Sequence, residues 1–318
     1  MSYLLLMVGF ALLILGANYF VEGSSKIAAY FRVPPILIGL TIVAFGTGSP
    51  EATVSIIAAL NQNAGVSLGN VIGSNVFNTA FVVGVVAIIM AIQVKGETIK
   101  KEIPFTFLAS FVLLVLISDY SLQQSAINVI TRGDGIILLL FFAIFMYYIF
   151  EAARNSREEG GTQAASVGNA TLGKPIFFGA AGLAAIIYGG HLVVQHSTII
   201  ALRWGMTETL VGLTIVAVGT SLPELVTSVA AALKKQNEIA VGNVVGSNIF
   251  NILFVLGVSA VISPLGVERV MVTDVVILIV LTALLFVVSR THYKVGRIEG
   301  MVLTLSYIGY MAYVMIRG

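Results

Sequence analysis

The chain has 318 residues, of which 58% are hydrophobic and 10% charged, with a formal net charge of +2 and no cysteine. A soluble domain carries about 25% charged residues, so this composition belongs to a polytopic membrane protein. It excludes disulfides, thiolate metal ligands and cysteine nucleophiles, and the scattered basic residues exclude a nucleic-acid surface.

A membrane-spanning helix needs about 20 mostly apolar residues. The chain opens on "MSYLLLMVGFALLILGANYF" with no basic leader segment, so residues 2–21 read as a retained first span. Further spans are predicted over 34–60, 66–92, 103–119 and 134–151. The polar stretch "EAARNSREEGGTQAASVGNATLGK" then reads as a linker, and five more spans follow over 174–202, 207–233, 239–263, 270–289 and 298–316. The predicted class is all-α, with ten transmembrane helices in two five-helix repeats, 1–153 and 174–318, joined by a linker over 154–173. Asp119, Asp134 and Asp274 fall at predicted helix ends and are expected to be solvated. His191, His196 and His292 read as packing or interfacial residues, not as a metal cluster.

The two halves are copies. Shifted by 173 (224 − 51), residues 39–85 align with 212–258 without a gap, and more than half of the positions are identical. "GLTIVAFGTGSPE" matches "GLTIVAVGTSLPE", and "GNVIGSNVFN" matches "GNVVGSNIFN". Because each half holds an odd number of helices, the second must enter the membrane from the opposite side, which makes an inverted repeat. With the N-terminus outside, thirteen basic residues fall in cytoplasmic loops and four (Arg132, Arg203, Arg269, Arg317) outside. That bias places the linker in the cytoplasm and both termini outside the cell membrane.

Each copy sets a glutamate, Glu51 or Glu224, directly after a proline, in a predicted span (34–60 or 207–233) free of lysine and arginine. Pro50 and Pro223 cannot donate to the carbonyls of Gly46 and Gly219, so each helix should break there. Irregular backbone at membrane depth is tolerated where it is buried in protein or lines a watery cavity. Thr47 and Thr220 stand beside the breaks; Ser74 and Asn78 lie four apart on one helix face, as do Ser247 and Asn251. Carboxylates, hydroxyls, amide oxygens and backbone carbonyls make an all-oxygen set, which suits Ca²⁺, Na⁺ or Mg²⁺. An ionised residue at the bilayer centre costs about 2.5–3.5 kcal/mol on insertion scales, so a bound cation is the simplest partner for these two. Gly69, Gly73, Gly242 and Gly246 read as close-packing positions, and Asn75 and Asn248 as packing or capping residues.

These paired motifs resemble the α-repeats of the cation/Ca²⁺ exchanger superfamily, and of its prokaryotic sodium/calcium antiporters in particular. The resemblance implies four cation positions between the repeats. A Ca²⁺ position would use Glu51, Glu224 and the carbonyls of Thr47 and Thr220. An outer Na⁺ position would use Ser74, the Ala217 carbonyl, Thr220, Ser221 and Glu224. An inner one would use the Ala44 carbonyl, Thr47, Glu51 and Ser247, and a middle position Glu51, Asn78, Glu224 and Asn251. Two residues depart from the pattern: Gly48 stands where a serine is usual, and Asn251 where some members carry aspartate.

The expectation is a secondary transporter in the lipid bilayer, not an enzyme. It would exchange Ca²⁺ for Na⁺ without an organic cofactor, by rocking 2–21 and 174–202 against the other eight helices. H⁺/Ca²⁺ exchange by the same glutamates is the competing reading, and a cation channel a remote one. Nothing in the sequence calls for more than a monomer.

Overall fold

A computed structural model describes residues 2–122, 124, 127–159, 172–205 and 217–317. Most of the linker, and residues 206–216 at the start of the predicted span 207–233, lie outside the described residues. The described chain is helical: α1 Ser2–Phe31, α2 Pro35–Thr47, α3 Ser49–Leu60, α4 Ala64–Ile89, α5 Gly96–Lys100, α6 Glu102–Leu116 and α7 Asp119–Leu122. After these come α8 Arg132–Glu159, α9 Gly173–Arg203, α10 Ala217–Thr220, α11 Leu222–Leu233, α12 Asn237–Ile262, α13 Arg269–His292 and α14 Arg297–Arg317. Seven of the helices are long and apolar enough to cross a membrane, and α2 with α3 forms an eighth span bent by 51°. The two remaining predicted spans coincide with shorter helices, α6 of 15 residues and α11 of 12. Four strands of two or three residues, which the sequence reading did not anticipate, tie loops together: β1 Ile92–Gln93, β2 Asn128–Ile130, β3 Leu265–Val267 and β4 Lys294–Val295.

Two compact units share the chain: 1–47 with 146–244, and 48–145 with 245–318. Each unit draws on both sequence halves, and the chain passes between units inside the duplicated motifs, at Thr47–Gly48 and Val244–Val245.

In the first unit, α1 runs antiparallel along α9 at backbone contact distance. A Cβ placed at Gly9, Gly16 or Gly23 would lie 3.0, 2.8 or 2.7 Å from the carbonyl oxygens of Gly189, Gly182 and Pro175. The seven-residue spacing keeps these glycines on one stripe, where only hydrogen fits. Leu13, Ala17, Phe20, Val21, Ile186 and Val193 fill the seam and join Ile38, Val43, Ala230, Ala231 and Ile239 in a single core. Gly242 likewise meets Gly39, with its Cβ position 2.9 Å from the Gly39 Cα, which bears out its reading as a packing glycine, whereas Cβ positions at Gly69 and Gly73 have nothing within 4 Å, so these two are not close-packing positions.

The second unit repeats the same solution twice. Gly84 of α4 packs on Gly300 of α14, and Gly257 of α12 on Gly135 of α8. β1 pairs antiparallel with β4 (Ile92 opposite Val295), and β2 with β3 (Ile130 opposite Leu265). In each pair a strand from one half is completed by a strand from the other, as a duplicated and inverted chain requires. One expectation is corrected here. Asp274 is buried, because α13 begins at Arg269 and carries it into the second turn. Asp119 and Asp134 do sit at helix starts, accepting hydrogen bonds from Val129 N at 2.9 Å and Thr131 N at 2.8 Å.

Candidate functional site

The helix bend falls at Gly48, two residues ahead of Pro50. Gly48 leaves helical geometry (φ −77°, ψ 1°), and α3 restarts at Ser49. Pro50 therefore sits in the first turn of a new helix, where its missing N–H would have had no partner in any case. Glu51 is the next residue, in that same first turn. The second copy is built alike: Ser221 is the N-cap (φ −94°, ψ 9°), with Pro223 and Glu224 in the first turn of α11. Both carboxylates therefore stand at the positive end of a helix dipole.

Each glutamate is anchored through its main chain by an asparagine from the following helix. In the second unit the Asn70 Nδ2 donates to the Glu51 carbonyl at 3.2 Å and to Ser55 Oγ at 2.9 Å. In the first unit the Asn243 Nδ2 donates to the Glu224 carbonyl at 3.3 Å and to Ser228 Oγ at 2.9 Å. Asn243 Oδ1 also accepts the Thr47 hydroxyl at 3.0 Å, with the Val43 carbonyl as a second acceptor for that hydroxyl at 3.1 Å. Asn70, Asn243, Ser55 and Ser228 were not singled out from sequence, yet they repeat at the same offset as the glutamates and carry the polar side chains that chemistry needs. The duplication itself was the signal that could have found them.

The predicted site residues divide between the units. Ala44, Thr47, Ala217, Thr220, Ser221 and Glu224 belong to the first, and Glu51, Ser74, Asn78, Ser247 and Asn251 to the second. Thr47, Ser221 and Glu224 are fully buried in the one, and Glu51, Asn78, Ser247 and Asn251 in the other, with Ser74 nearly so; Thr220 is partly exposed. Neither carboxylate oxygen of Glu224 has a hydrogen-bond partner among the described residues, and the same holds for the side-chain oxygens of Asn78 and Asn251. An unpartnered buried polar group costs about 1–3 kcal/mol, and more when charged, so these oxygens call for a partner that is not protein. In each unit by itself the donors are oxygens, the atoms that hard cations prefer.

Asn78 and Asn251 lie at the start of matching π-helical turns, Phe77–Val82 and Phe250–Val255, and a third such turn covers Gly39–Val43. A π-turn widens the helix by one residue and re-aims the side chains that follow; such turns are frequent at functional sites. Sequence reading placed Ser74 and Asn78 on one regular helix face and did not foresee this.

A sequence profile of the sodium/calcium exchanger protein family matches residues 1–151 and 174–316, nearly the whole chain. The chain belongs to this family. It is 33% identical over 356 residues to the sodium/calcium exchanger MaX1 of Methanosarcina acetivorans, covering 98% of this chain and 97% of that one. It is also 33% identical over 316 residues to the inner membrane protein YrbG of Escherichia coli, covering 97% and 95% of the two chains. The solved structure of the sodium-calcium exchanger NCX_Mj, soaked without Na⁺ and Ca²⁺, superposes with a TM-score of 0.83 at 30% identity, covering 98% of both chains. The protein is thus an all-helical, multi-pass membrane transporter and not an enzyme.

Proposed function

We propose that the chain exchanges Ca²⁺ for Na⁺ by alternating access. The observation that carries this reading is the duplicated, fully buried glutamate in the first turn of a helix that restarts after a break, with unpartnered buried oxygens on Glu224, Asn78 and Asn251. Two carboxylates balance one Ca²⁺ or two Na⁺ and leave no net charge in either state. A set that neutralises either ion, but not both together, couples their movements in opposite directions. In this proposal Ca²⁺ is held by Glu51, Glu224 and the Thr47 and Thr220 carbonyls. Na⁺ uses Ser74, Ser221, Thr220 and the Ala217 carbonyl on the outer side, and Ser247, Thr47 and the Ala44 carbonyl on the inner. Asn78 and Asn251 serve the middle position. The close glycine seam makes α1 and α9 a natural moving pair.

Uptake of ⁴⁵Ca²⁺ into proteoliposomes tests the reading. An outward Na⁺ gradient is expected to drive uptake, and equal K⁺ or H⁺ gradients are not. Uptake driven by H⁺ alone would instead make this a proton-coupled exchanger. Single-channel currents would make it a channel.

We also propose that the linker is cytoplasmic and both termini lie outside. Within the second unit, the end of the helices near β1 and β4 carries Lys95, Lys100, Lys101, Arg290, Lys294 and Arg297, and the end near β2 and β3 carries Arg132 and Arg269. The richer end is the cytoplasmic one by the positive-inside rule. Since the chain has no cysteine, single cysteines at Ser156 and Gly318 can be labelled cleanly with an impermeant maleimide. They are expected to react from opposite faces of the membrane, and reaction from one face would overturn the topology.

A further inference from the structure

Two asparagines read from sequence as packing residues form, in the second unit, a buried network with the cation-ligand candidates. Asn251 Nδ2 donates to Asn75 Oδ1 at 3.3 Å, Asn75 Nδ2 donates to the Asn248 main-chain carbonyl at 3.4 Å, and Asn248 Nδ2 donates to Thr79 Oγ1 at 2.7 Å. All four residues are at most 2% exposed.

An amide side chain presents two unlike ends, an accepting oxygen and a donating NH₂, and only the oxygen can face a cation. Asn75 is itself oriented, because its NH₂ is engaged by the Asn248 carbonyl and its oxygen therefore points at Asn251. That oxygen takes up the Asn251 NH₂ and leaves Asn251 Oδ1 as the end without a partner. The equivalent residue in the other copy behaves differently. Asn248 directs its NH₂ to the Thr79 hydroxyl, and the position equivalent to Thr79 in the second copy is Ile252 (252 − 79 = 173), which offers no hydroxyl. Neither polar atom of Asn78 has a hydrogen-bond partner among the described residues.

We propose that Asn75 is a positioning residue for transport: it fixes the Asn251 amide with its carbonyl oxygen presented to the cation, a constraint that Asn78 does not receive. The proposal rests on the reading of Asn251 as a cation ligand. It makes the two otherwise duplicated asparagines unequal. Asn251 is a preset oxygen ligand, and Asn78 is a side chain that must be oriented by the ion itself.

The test is a double-mutant cycle on purified full-length protein, reading Na⁺ and Ca²⁺ affinity from the ion-dependent rise in melting temperature. Asn75→Leu removes the accepting oxygen at similar volume and is expected to weaken Na⁺ binding about tenfold, the effect of one buried hydrogen bond. In an Asn251→Ala background the same substitution is expected to change affinity less than about twofold. Asn75→Gln keeps both the accepting oxygen and the NH₂ that the Asn248 carbonyl engages, with no change of charge, and is expected to bind within about threefold of the parent, which also covers a Leu variant that fails to fold. Equal losses from Asn75→Leu in both backgrounds, or weakening by Asn75→Gln to the level of Leu, would overturn the positioning role. An Asn251→Ala variant with unchanged affinity for both ions would overturn the ligand reading beneath it, and a parent protein that binds neither ion would overturn the exchange function instead.

Discussion

Replacing Glu224 with glutamine is expected to abolish Ca²⁺ transport while leaving a folded protein. The change removes one of two formal negative charges but almost no volume, so packing around the first turn of α11 is kept. The Asn243 bond to the Glu224 main chain does not depend on the side chain and should persist. On the proposed function, what is lost is the buried carboxylate that would face the divalent ion. Truncating one member of a buried charge pair costs about 2–5 kcal/mol, which is roughly 30-fold to several thousand-fold in affinity. The loss falls on Ca²⁺ more heavily than on Na⁺, since the remaining carboxylate can still neutralise one monovalent ion. Glu51→Gln is expected to behave alike, because Glu51 holds the equivalent place in α3 and is equally buried. The measurement is Na⁺-driven ⁴⁵Ca²⁺ uptake by purified, reconstituted variants, with size-exclusion profiles to confirm folding. Uptake near the parental rate by either variant would remove that residue from the ion site.

How much of this could be read from the chain follows from what each feature costs. Spans were legible because burying a polar stretch in lipid is so unfavourable that composition alone marks them: α1, α8, α9, α13 and α14 fall where the apolar runs fall. The break beside Glu51 was legible too, since proline cannot continue a hydrogen-bond ladder. Its position was not, because the chain leaves helical geometry at Gly48, and at Ser221 in the other copy, so that each proline falls in the first turn of a new helix and breaks no ladder. The π-turns at Phe77 and Phe250 have no local residue signature; they are set by tertiary packing of long helices. The short strands escaped notice for a similar reason, as two or three residues carry no periodicity. Asn70 and Asn243 were visible as repeated letters, but only the fold shows that they hold the main chain of the glutamates. Asp274 was misplaced because a carboxylate near a predicted helix end was assumed to reach water, whereas it lies in the second turn of α13 and is buried.

Adjacent glycines of α9 are expected to respond in opposite ways to the same substitution. A Cβ at Gly189 would lie 2.8 Å from the Gly9 carbonyl oxygen and 2.9 Å from Leu13 N, both backbone atoms of α1 that cannot swing aside. A Cβ at Gly190 would meet only side chains, those of Pro223 and Leu13, at 3.8 and 3.9 Å, which is ordinary contact. Gly190→Ala is therefore expected to be neutral or mildly stabilising, since alanine in a helix interior is favoured over glycine by about 1 kcal/mol. Gly189→Ala must instead push α1 and α9 apart along a seam whose glycines at 9, 16 and 23 leave no room for a Cβ. Overpacking of that kind costs about 1–3 kcal/mol and sometimes more. If α1 and α9 move as one body during exchange, a wedge between them should slow turnover beyond its effect on stability. The measurements are the melting temperature of each purified variant and its Na⁺-driven Ca²⁺ uptake per folded molecule. Gly189→Ala is expected to melt several degrees lower and to exchange more slowly, with Gly190→Ala matching the parent in both. Equal behaviour of the two variants would mean that α1 and α9 are not held at backbone distance, and the shared motion of the pair would lose its physical basis.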